Sequence, residues 1–234
     1  MNYKDLTKYK IKAYIKSNPT LYRLITFVRN SSEQRNNFLC NKNTDLCVEA
    51  YPSSANSFLC RILKYLNKDL RIGQHTHTIA NIKLALKYNI PVITIIRDPL
   101  DAISSRAVRF NEEIEKCIFE YIDFYEYVAA HLDDLVLLSF EKVINNTSKT
   151  LQAIKEKTGL SFICNNLEEA RNYAFSIITS RAKVLNRLKD FSLPNQEREY
   201  EKEKLKKTIP DNSKYQEAEA LYKYISNRLN STIN

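Results

Sequence analysis

The sequence predicts an α/β fold, with a doubly wound, mainly parallel central sheet flanked by helices. Short apolar runs alternate along the chain with longer segments of helical periodicity, which is the pattern of a parallel sheet. One run, Val92–Ile96, is apolar or β-branched at every position, as in a central strand covered on both faces. The 234 residues suffice for one domain with a full core, and no Pro/Gly/Ser-rich linker divides them.

The predicted elements follow in order. Helical periodicity over residues 3–29 is broken near Asn18 and Pro19, and an Asn/Ser-rich loop is expected over 30–44. The strands are short runs rich in apolar residues, predicted over 46–51, 71–76, 91–96 and 135–140. Apolar residues every three or four positions predict helices over 56–66, 79–88, 99–110, 112–131, 147–158, 167–188 and 215–229. Charge pairs such as Glu199–Lys202 predict a solvated helix over 194–207. Pro99 falls in the first turn of one helix and Gly159 ends another.

We expect residues 1–234 to form a single domain, with a basic helical N-terminal segment (about 1–42) and a helical C-terminal segment (about 190–234). Residues 1–42 hold nine Lys/Arg against two Asp/Glu, and the rest of the chain holds 27 against 25. We favour two N-terminal helices packed on the domain with a solvated lysine face. The alternatives are an acidic acceptor, peripheral contact with an anionic membrane surface, and nucleic acid. No nucleic-acid motif accompanies the charge, so a nucleic-acid partner is not expected.

The composition excludes several kinds of site. Gly73 and Gly159 are the two glycines, which excludes a Gly-rich dinucleotide fingerprint and a Walker-type phosphate loop. Five dispersed cysteines without a CxxC pair favour reduced, mostly buried thiols, and with three histidines no metal site is expected. We expect a cytoplasmic location, because no apolar run is long enough to span a bilayer and no secretory leader is recognisable.

Residues 48–59 predict a buried strand, a tight loop and the first turn of a helix. The loop is made of small residues: Ser53, Ser54, Ala55, Asn56 and Ser57. In such a loop, backbone N–H groups and the positive end of the helix dipole favour an anion. Taken alone, a plain strand-to-helix connection with a serine cap is the simpler interpretation.

Polar side chains also follow the second and third predicted strands. They are His75, Thr76 and His77 after the second strand, and Arg97, Asp98, Ser104, Ser105 and Arg106 after the third. The carboxyl ends of parallel strands meet at one edge of a sheet, where ligands bind. Together with the loop at 53–57, these residues predict a cationic, donor-rich pocket for a ligand with more than one phosphate-like group.

Four segments resemble the motifs of sulfotransferases that use 3′-phosphoadenosine-5′-phosphosulfate (PAPS). Residues 51–59, Tyr-Pro-Ser-Ser-Ala-Asn-Ser-Phe-Leu, look like the 5′-phosphosulfate loop, commonly Y-P-K/R-S-G-T/N-T-W/F-L. Residues 97–105 resemble the 3′-phosphate motif R-[DN]-P-x-D-x-x-x-S, with the same step from Arg97 to Ser105. Residues 75–77 resemble the K-[ST]-H segment, and 137–143 are similar to L-x-x-Y-E-D-L. The order and spacing hold across most of residues 46–190.

The resemblance implies a P-loop-like fold and in-line transfer of a sulfuryl group from PAPS to an acceptor hydroxyl of a saccharide, lipid or small molecule. It implies that Ser53, Ser54, Ala55, Asn56 and Ser57 cradle the 5′-phosphosulfate and that Phe58 stacks on adenine, with Phe175 a candidate for its second face. It also implies that Arg97 and Ser105 hold the 3′-phosphate and that His77, beside His75, is the catalytic base. The family's C-terminal R-K-G clamp is not evident, and Arg198 is the candidate to close over the nucleotide, with a solvated helix as the alternative. No metal is implied.

The chain departs from the family pattern in the loop. Ser53 stands where the family has Lys or Arg, and His75, Arg61 and Arg106 are the candidates to replace that cation. Ala55 stands in the glycine position, which is tolerated unless the backbone there needs a positive φ. A catalytically impaired, nucleotide-binding relative is therefore the alternative. A nucleotide-dependent kinase is less favoured because the Walker-type loop is missing. Residues 106–131 and the C-terminal third are expected to line the acceptor pocket, whereas the acceptor and the oligomeric state stay open.

Overall fold

A computed structural model describes residues 3–29, 38–162, 166–184 and 196–231. The strands in these ranges are β1 (Leu46–Ala50), β2 (Ile72–Gln74), β3 (Val92–Ile96) and β4 (Val136–Ser139). The α-helices are α1 (Tyr3–Ser17), α2 (Pro19–Arg29), α3 (Asn56–Leu66), α4 (Ile79–Lys87), α5 (Pro99–Phe110), α6 (Ile114–Ala129), α7 (Phe140–Asn145), α8 (Thr147–Thr158), α9 (Leu167–Val184), α10 (Gln196–Lys206) and α11 (Ser213–Ser231). Short 3₁₀ helices lie at Leu132–Asp134 and Ile209–Asp211.

The four described strands form one parallel sheet in the order β2-β1-β3-β4. Cys47 of β1 pairs with Gly73 on one side and with Val92 on the other. The chain therefore passes from β1 to one neighbour and then returns to the other side, so the direction of winding reverses between β1 and β3. In an open α/β sheet, this reversal opens a crevice at the carboxyl ends of the two strands. The prediction of a parallel α/β sheet is confirmed.

Alternate residues of the strands enter two separate hydrophobic cores. Leu46, Val48 and Ala50 of β1 pack on one face with α3, α8 and α9. Cys47 and the following Tyr51 pack on the other face with α4, α5, α6 and α11. Helices thus cover both faces of the sheet, which explains why the strands read as continuous apolar runs.

Local sequence explains where several helices begin and end. The Asn18 side chain accepts hydrogen bonds from the N–H groups of Thr20 and Leu21, at 3.1 Å each, and so caps α2, which begins at Pro19. Asp98 caps α5 by accepting from the Asp101 N–H at 3.1 Å. Gly159 ends α8 with a φ of 71°, in the left-handed region that glycine adopts without strain.

The structure differs from the predicted elements in three places. Strand β2 ends at Gln74 and not at residue 76, because the chain turns away at His75 with a φ of 60°. Strand β4 ends at Ser139, whose side chain caps the short helix α7, and that helix was not predicted. The long helix α6 covers Ile114–Ala129, within the predicted 112–131. Residues 30–37 of the predicted loop, 185–188 of the helix predicted over 167–188 and 194–195 of the helix predicted over 194–207 lie outside the described residues.

The charge-dense segment over 194–207 also differs from a purely solvated helix. Its described part, α10, packs against α5, and Lys206 Nζ lies 2.7 Å from Asp101 Oδ1. Four cysteines are free and buried as predicted, namely Cys40, Cys47, Cys60 and Cys117. Cys164 lies outside the described residues. Within the described ranges, none of the helices has the length and apolar character needed to cross a bilayer.

Candidate active site

The loop after β1 has a backbone suited to an anion. Ser53 and Ala55 have positive φ angles of 69° and 65°, and Ser54 between them does not. Alternation of this kind turns successive N–H groups toward one concave space, which is the geometry of anion-binding nests. Helix α3 starts at Asn56, so its N-terminal dipole points at the same space. Ala55 adopts the positive φ without being glycine, a conformation that costs about 1–2 kcal/mol.

Four buried polar atoms around this loop have no hydrogen-bond partner. They are Ser53 Oγ, Ser54 Oγ, Asn56 Nδ2 and Arg97 Nε. Buried polar groups in folded proteins are nearly always paired, and leaving one unpaired costs about 1–3 kcal/mol. Hydroxyl, amide and guanidinium donors left unpaired around one loop are chemically matched to a ligand rich in acceptor oxygens.

Arg97 connects the end of β3 to the loop. Its Nη1 donates a hydrogen bond of 2.7 Å to the Ser53 carbonyl oxygen, which fixes the loop to the guanidinium. The guanidinium carbon also lies 4.2 Å from the centre of the Phe140 ring. Burial lowers the pKa of Arg97, a direction that reflects the cost of a buried cation, although arginine keeps its charge at any ordinary pH.

A cavity of about 280 Å³ brings together most of the predicted site residues. Its lining includes Ser53, Ala55, Asn56, Ser57, Phe58, His75, His77, Arg97, Ser105, Phe175 and Arg198. Ser54 is the exception: its side chain is fully buried and is not part of the lining. We call this space the loop cavity.

The two aromatic rings predicted to hold adenine contact each other. Phe58 is 3% exposed, and its ring centroid lies 4.9 Å from that of Phe175, a distance of direct aromatic contact. A base cannot lie between the two rings in this arrangement. Either ring can offer only an edge or an outer face to the loop cavity.

Sequence reasoning missed two of the four lysine and arginine residues that line the loop cavity. Arg109 and Lys202 join Arg97 and Arg198 in its lining, and Glu199 is also present there. Of the three proposed replacements for the loop cation, His75 lines this cavity and Arg61 does not. Arg106 faces elsewhere, because its guanidinium pairs with Glu112, with Nε to Oε2 at 2.8 Å, and with Glu120. The helical spacing from Ser105 through Arg109 on α5 was the signal for Arg109.

His77 has a fixed orientation. Its Nδ1 lies 2.7 Å from the carbonyl oxygen of Ala50. Because a carbonyl oxygen can only accept, Nδ1 carries the proton and Nε2 of the neutral ring is left as an acceptor. Burial, assisted by the nearby His75, Arg106 and Lys16, lowers the pKa of His77 to about 3. The ring is therefore neutral near pH 7.

Glu49, in the middle of β1, holds the segment that carries His77. Its carboxylate accepts hydrogen bonds from the Thr76 N–H at 3.1 Å, the Thr76 hydroxyl at 2.8 Å, the His77 N–H at 2.7 Å and the Asn81 amide at 2.8 Å. Burial nevertheless raises the pKa of Glu49 to about 7. The sequence carried a signal for this role, since Glu49 is the one charged residue in an otherwise apolar strand.

These two groups should have opposite effects on stability as the pH changes. Between pH 6.5 and 3, unfolded His77 binds a proton that folded His77 does not, so its contribution to stability is lost as the pH falls. Between pH 7 and 4.5, folded Glu49 binds a proton that the unfolded chain does not, so its contribution grows as the pH falls. From pH 6.5 to 4.5 the two effects oppose each other.

We expect Glu49→Gln to remove the contribution to stability that grows as the pH falls, and to leave that of His77. The free energy of unfolding of the variant should then fall by about 1 kcal/mol per pH unit more steeply than that of the wild type as the pH is lowered from 6.5 to 4.5. Urea unfolding at a series of pH values measures this slope. Glu141→Gln, at an exposed position, is the control and should follow the wild type. Parallel curves for Glu49→Gln and the wild type would contradict the assignment.

A second cavity of about 290 Å³ lies on the other side of His77. Pro52 and His77 line both cavities. The remaining lining comes from α1, Tyr51, the start of α4 with its capping Thr78, and residues 106–126. It includes Tyr9, Tyr14, Lys16, Tyr51, Thr78, Ile79, Arg106, Glu120, Asp123, Phe124 and Glu126. We call this space the helix cavity. Residues 106–131 and the C-terminal third were expected to line an acceptor pocket together. Among the described residues, the lining of the helix cavity includes part of 106–131 and residues of α1, and none from the C-terminal third.

Helix α1 is attached to α6 around the helix cavity by polar contacts. The Tyr9 hydroxyl donates a hydrogen bond to Asp123, and burial beside that carboxylate raises the pKa of the tyrosine. Lys16 Nζ lies 3.1 Å from Glu120 Oε1. The predicted packing of the N-terminal helices on the domain is thus confirmed for α1.

No family model and no curated protein matches this chain. Among solved structures it is similar to mouse sulfotransferase SULT7A1 complexed with PAP, with 16% sequence identity and a TM-score of 0.42, over 65% of this chain and 72% of that chain. This similarity is remote, and the function proposed below rests on the two cavities and on His77.

Proposed function

We propose that this protein is a sulfotransferase that moves a sulfuryl group from PAPS to the hydroxyl of an acceptor. The observation that carries the proposal is the position of His77, which lies on the boundary of the loop cavity and the helix cavity with its Nε2 available as a proton acceptor. A group-transfer enzyme needs a donor site, an acceptor site and a base between them.

The loop cavity fits the donor. The alternating loop backbone and the unpaired Ser53 and Asn56 atoms suit the 5′-phosphosulfate, and Arg97 with Ser105 suits the 3′-phosphate. When bound, PAPS supplies an activated sulfuryl group. Further positive charge from the cavity lining compensates in part for the serine at position 53. That charge comes from Arg109, Arg198 and Lys202.

The helix cavity would hold the acceptor with its hydroxyl toward His77. As the acceptor oxygen bonds to sulfur, the bond from sulfur to the 5′-phosphate oxygen breaks, and the hydroxyl proton passes to His77 Nε2. Glu49 keeps His77 in place through the backbone N–H, and the Ala50 carbonyl keeps its tautomer. The products are a sulfate ester and adenosine 3′,5′-bisphosphate.

We expect adenosine 3′,5′-bisphosphate to stabilise the protein specifically. At a hundred times its dissociation constant, a ligand that binds only the folded state adds about 2.7 kcal/mol to the free energy of unfolding. A thermal-shift titration with this nucleotide measures the effect, with AMP and ATP–Mg²⁺ as controls. No shift with the bisphosphate would rule out the donor site. A larger shift with ATP–Mg²⁺ would favour a kinase.

A binding-only relative is the second candidate, favoured by Ser53 in place of the loop cation. The thermal shift does not separate it from an enzyme, because both bind the bisphosphate. Release of adenosine 3′,5′-bisphosphate from PAPS in the presence of a panel of saccharide, lipid and phenolic acceptors separates them. Tight binding with no turnover on any acceptor would support the binding-only function.

A further inference from the structure

Helix α1 exposes an apolar stripe although its opposite side is docked on the domain. Tyr3, Thr7, Ile11 and Tyr14 are spaced by four, four and three residues, so they follow one another along a single face. The apolar members are 84%, 57% and 62% exposed, respectively. Tyr9, by contrast, is 7% exposed and bonded to α6. The exposed stripe is therefore not the face that packs on the protein, and only Tyr14, at its C-terminal end, also borders the helix cavity.

A row of lysines runs beside this stripe. Lys4, Lys8 and Lys12 each follow a stripe position by one residue, and all three are exposed. Lys10 is exposed on the stripe's other flank. Long lysine stems can lie along an apolar surface while the ammonium groups reach outward to anionic groups.

Helix α2 repeats the pattern. Thr20, Arg23, Leu24, Phe27 and Val28 occupy one continuous helical face, and all five are exposed. Leu24, Phe27 and Val28 are 58%, 71% and 75% exposed. Tyr22, on the other face, packs against the core of the sheet. A contiguous exposed apolar face is unusual on a soluble protein and marks an interaction surface.

We propose that α1 and α2 bind the surface of an anionic lipid bilayer, with the apolar stripes entering the headgroup region and the lysines contacting lipid phosphates and carboxylates. Apolar burial combined with a basic flank is the chemistry of interfacial helices. The charge distribution agrees, because residues 1–42 carry nine of the basic residues against two acidic ones while the rest of the chain is nearly balanced. This inference does not depend on the sulfotransferase proposal.

Sedimentation of the full chain with lipid vesicles tests the proposal. The vesicles are phosphatidylcholine alone, and phosphatidylcholine with about 30% phosphatidylserine, whose charge resembles that of a cytoplasmic leaflet. Two variants alter the proposed surface: Phe27→Ser with Val28→Ser, and Lys4→Glu with Lys8→Glu and Lys12→Glu. Two controls make matched changes elsewhere: Tyr200→Ser with Tyr224→Ser, and Lys149→Glu with Lys155→Glu and Lys157→Glu, all at exposed positions.

We expect the wild type and both controls to sediment with the anionic vesicles, and each surface variant to lose about tenfold or more in its partition coefficient. Raising the salt concentration should weaken wild-type binding. Thermal melting shows that each variant is folded. The proposal is overturned if the wild type stays in the supernatant, if neutral vesicles bind it equally well, or if the controls lose as much as the variants. Self-association through this face, seen by light scattering without lipid and lost in the Phe27/Val28 variant, would also overturn it.

Discussion

Replacing His77 by alanine is expected to reduce sulfuryl transfer by about 10²–10⁴-fold while leaving the binding of adenosine 3′,5′-bisphosphate nearly unchanged. The reason is that His77 lines both cavities and, on the proposed mechanism, its Nε2 takes the acceptor proton, whereas the charges suited to the nucleotide come from other residues. The rate of product formation from PAPS and the dissociation constant of the bisphosphate should both be measured on the same protein.

Two other histidines serve as controls for this variant. His131 stacks on Tyr127 with ring centroids 4.1 Å apart, and its removal should not change transfer. His75 lines the loop cavity and not the helix cavity, so His75→Ala should weaken nucleotide binding more than it slows the transfer step. Full activity of a folded His77→Ala protein would remove His77 from the mechanism.

Replacing Arg97 by alanine should have the largest effect on donor binding. A hydrogen bond to a charged group contributes about 1.5–3 kcal/mol, so the dissociation constant of adenosine 3′,5′-bisphosphate should rise by about tenfold or more. The loss should be larger than for one contact, because Arg97 also holds the Ser53 carbonyl at 2.7 Å. Binding of AMP, which lacks the 3′-phosphate, should weaken less, and the preference for the bisphosphate should shrink.

Calorimetric titration of both nucleotides measures this preference directly. Arg97→Lys keeps the charge but not the fork that reaches Ser53 and a phosphate at once, so it should give an intermediate result. Arg71→Ala is the remote control, because Arg71 pairs with Asp45 at the opposite end of the strands. If Arg97→Ala binds both nucleotides as selectively as the wild type, the 3′-phosphate assignment is wrong.

The periodicity of the sequence was sufficient to predict the parallel sheet and most of its helices. Alternate residues of β1 enter two cores, so the strand is apolar apart from Glu49, and that pattern can be recognised in the sequence alone. The end of β2 could not be predicted in this way. His75 has a positive φ, and the next two residues donate backbone N–H groups to Glu49 instead of continuing the strand, a contact that local sequence does not show.

Most residues of the candidate site were identified from the sequence, whereas several of their side-chain contacts were not. The small residues at 53–57 and Arg97 come from consecutive strand ends, so topology alone brings them together. Arg106 was one of three candidates to replace the loop cation, and nothing in the local sequence shows that it pairs with Glu112 and Glu120. The contribution of α1 to the helix cavity was also missed, since it depends on contacts between residues more than a hundred positions apart.

The two cavities share Pro52 and His77 and otherwise draw on different side chains. Substitutions in Tyr14, Phe124 or Glu126 can reshape one of them without touching any residue around the nest at Ser53 and Ala55. On the proposed function, the two specificities would therefore evolve independently among descendants of this protein. Specificity for the donor would be retained, while a few mutations in α1 and α6 would change the specificity for the acceptor.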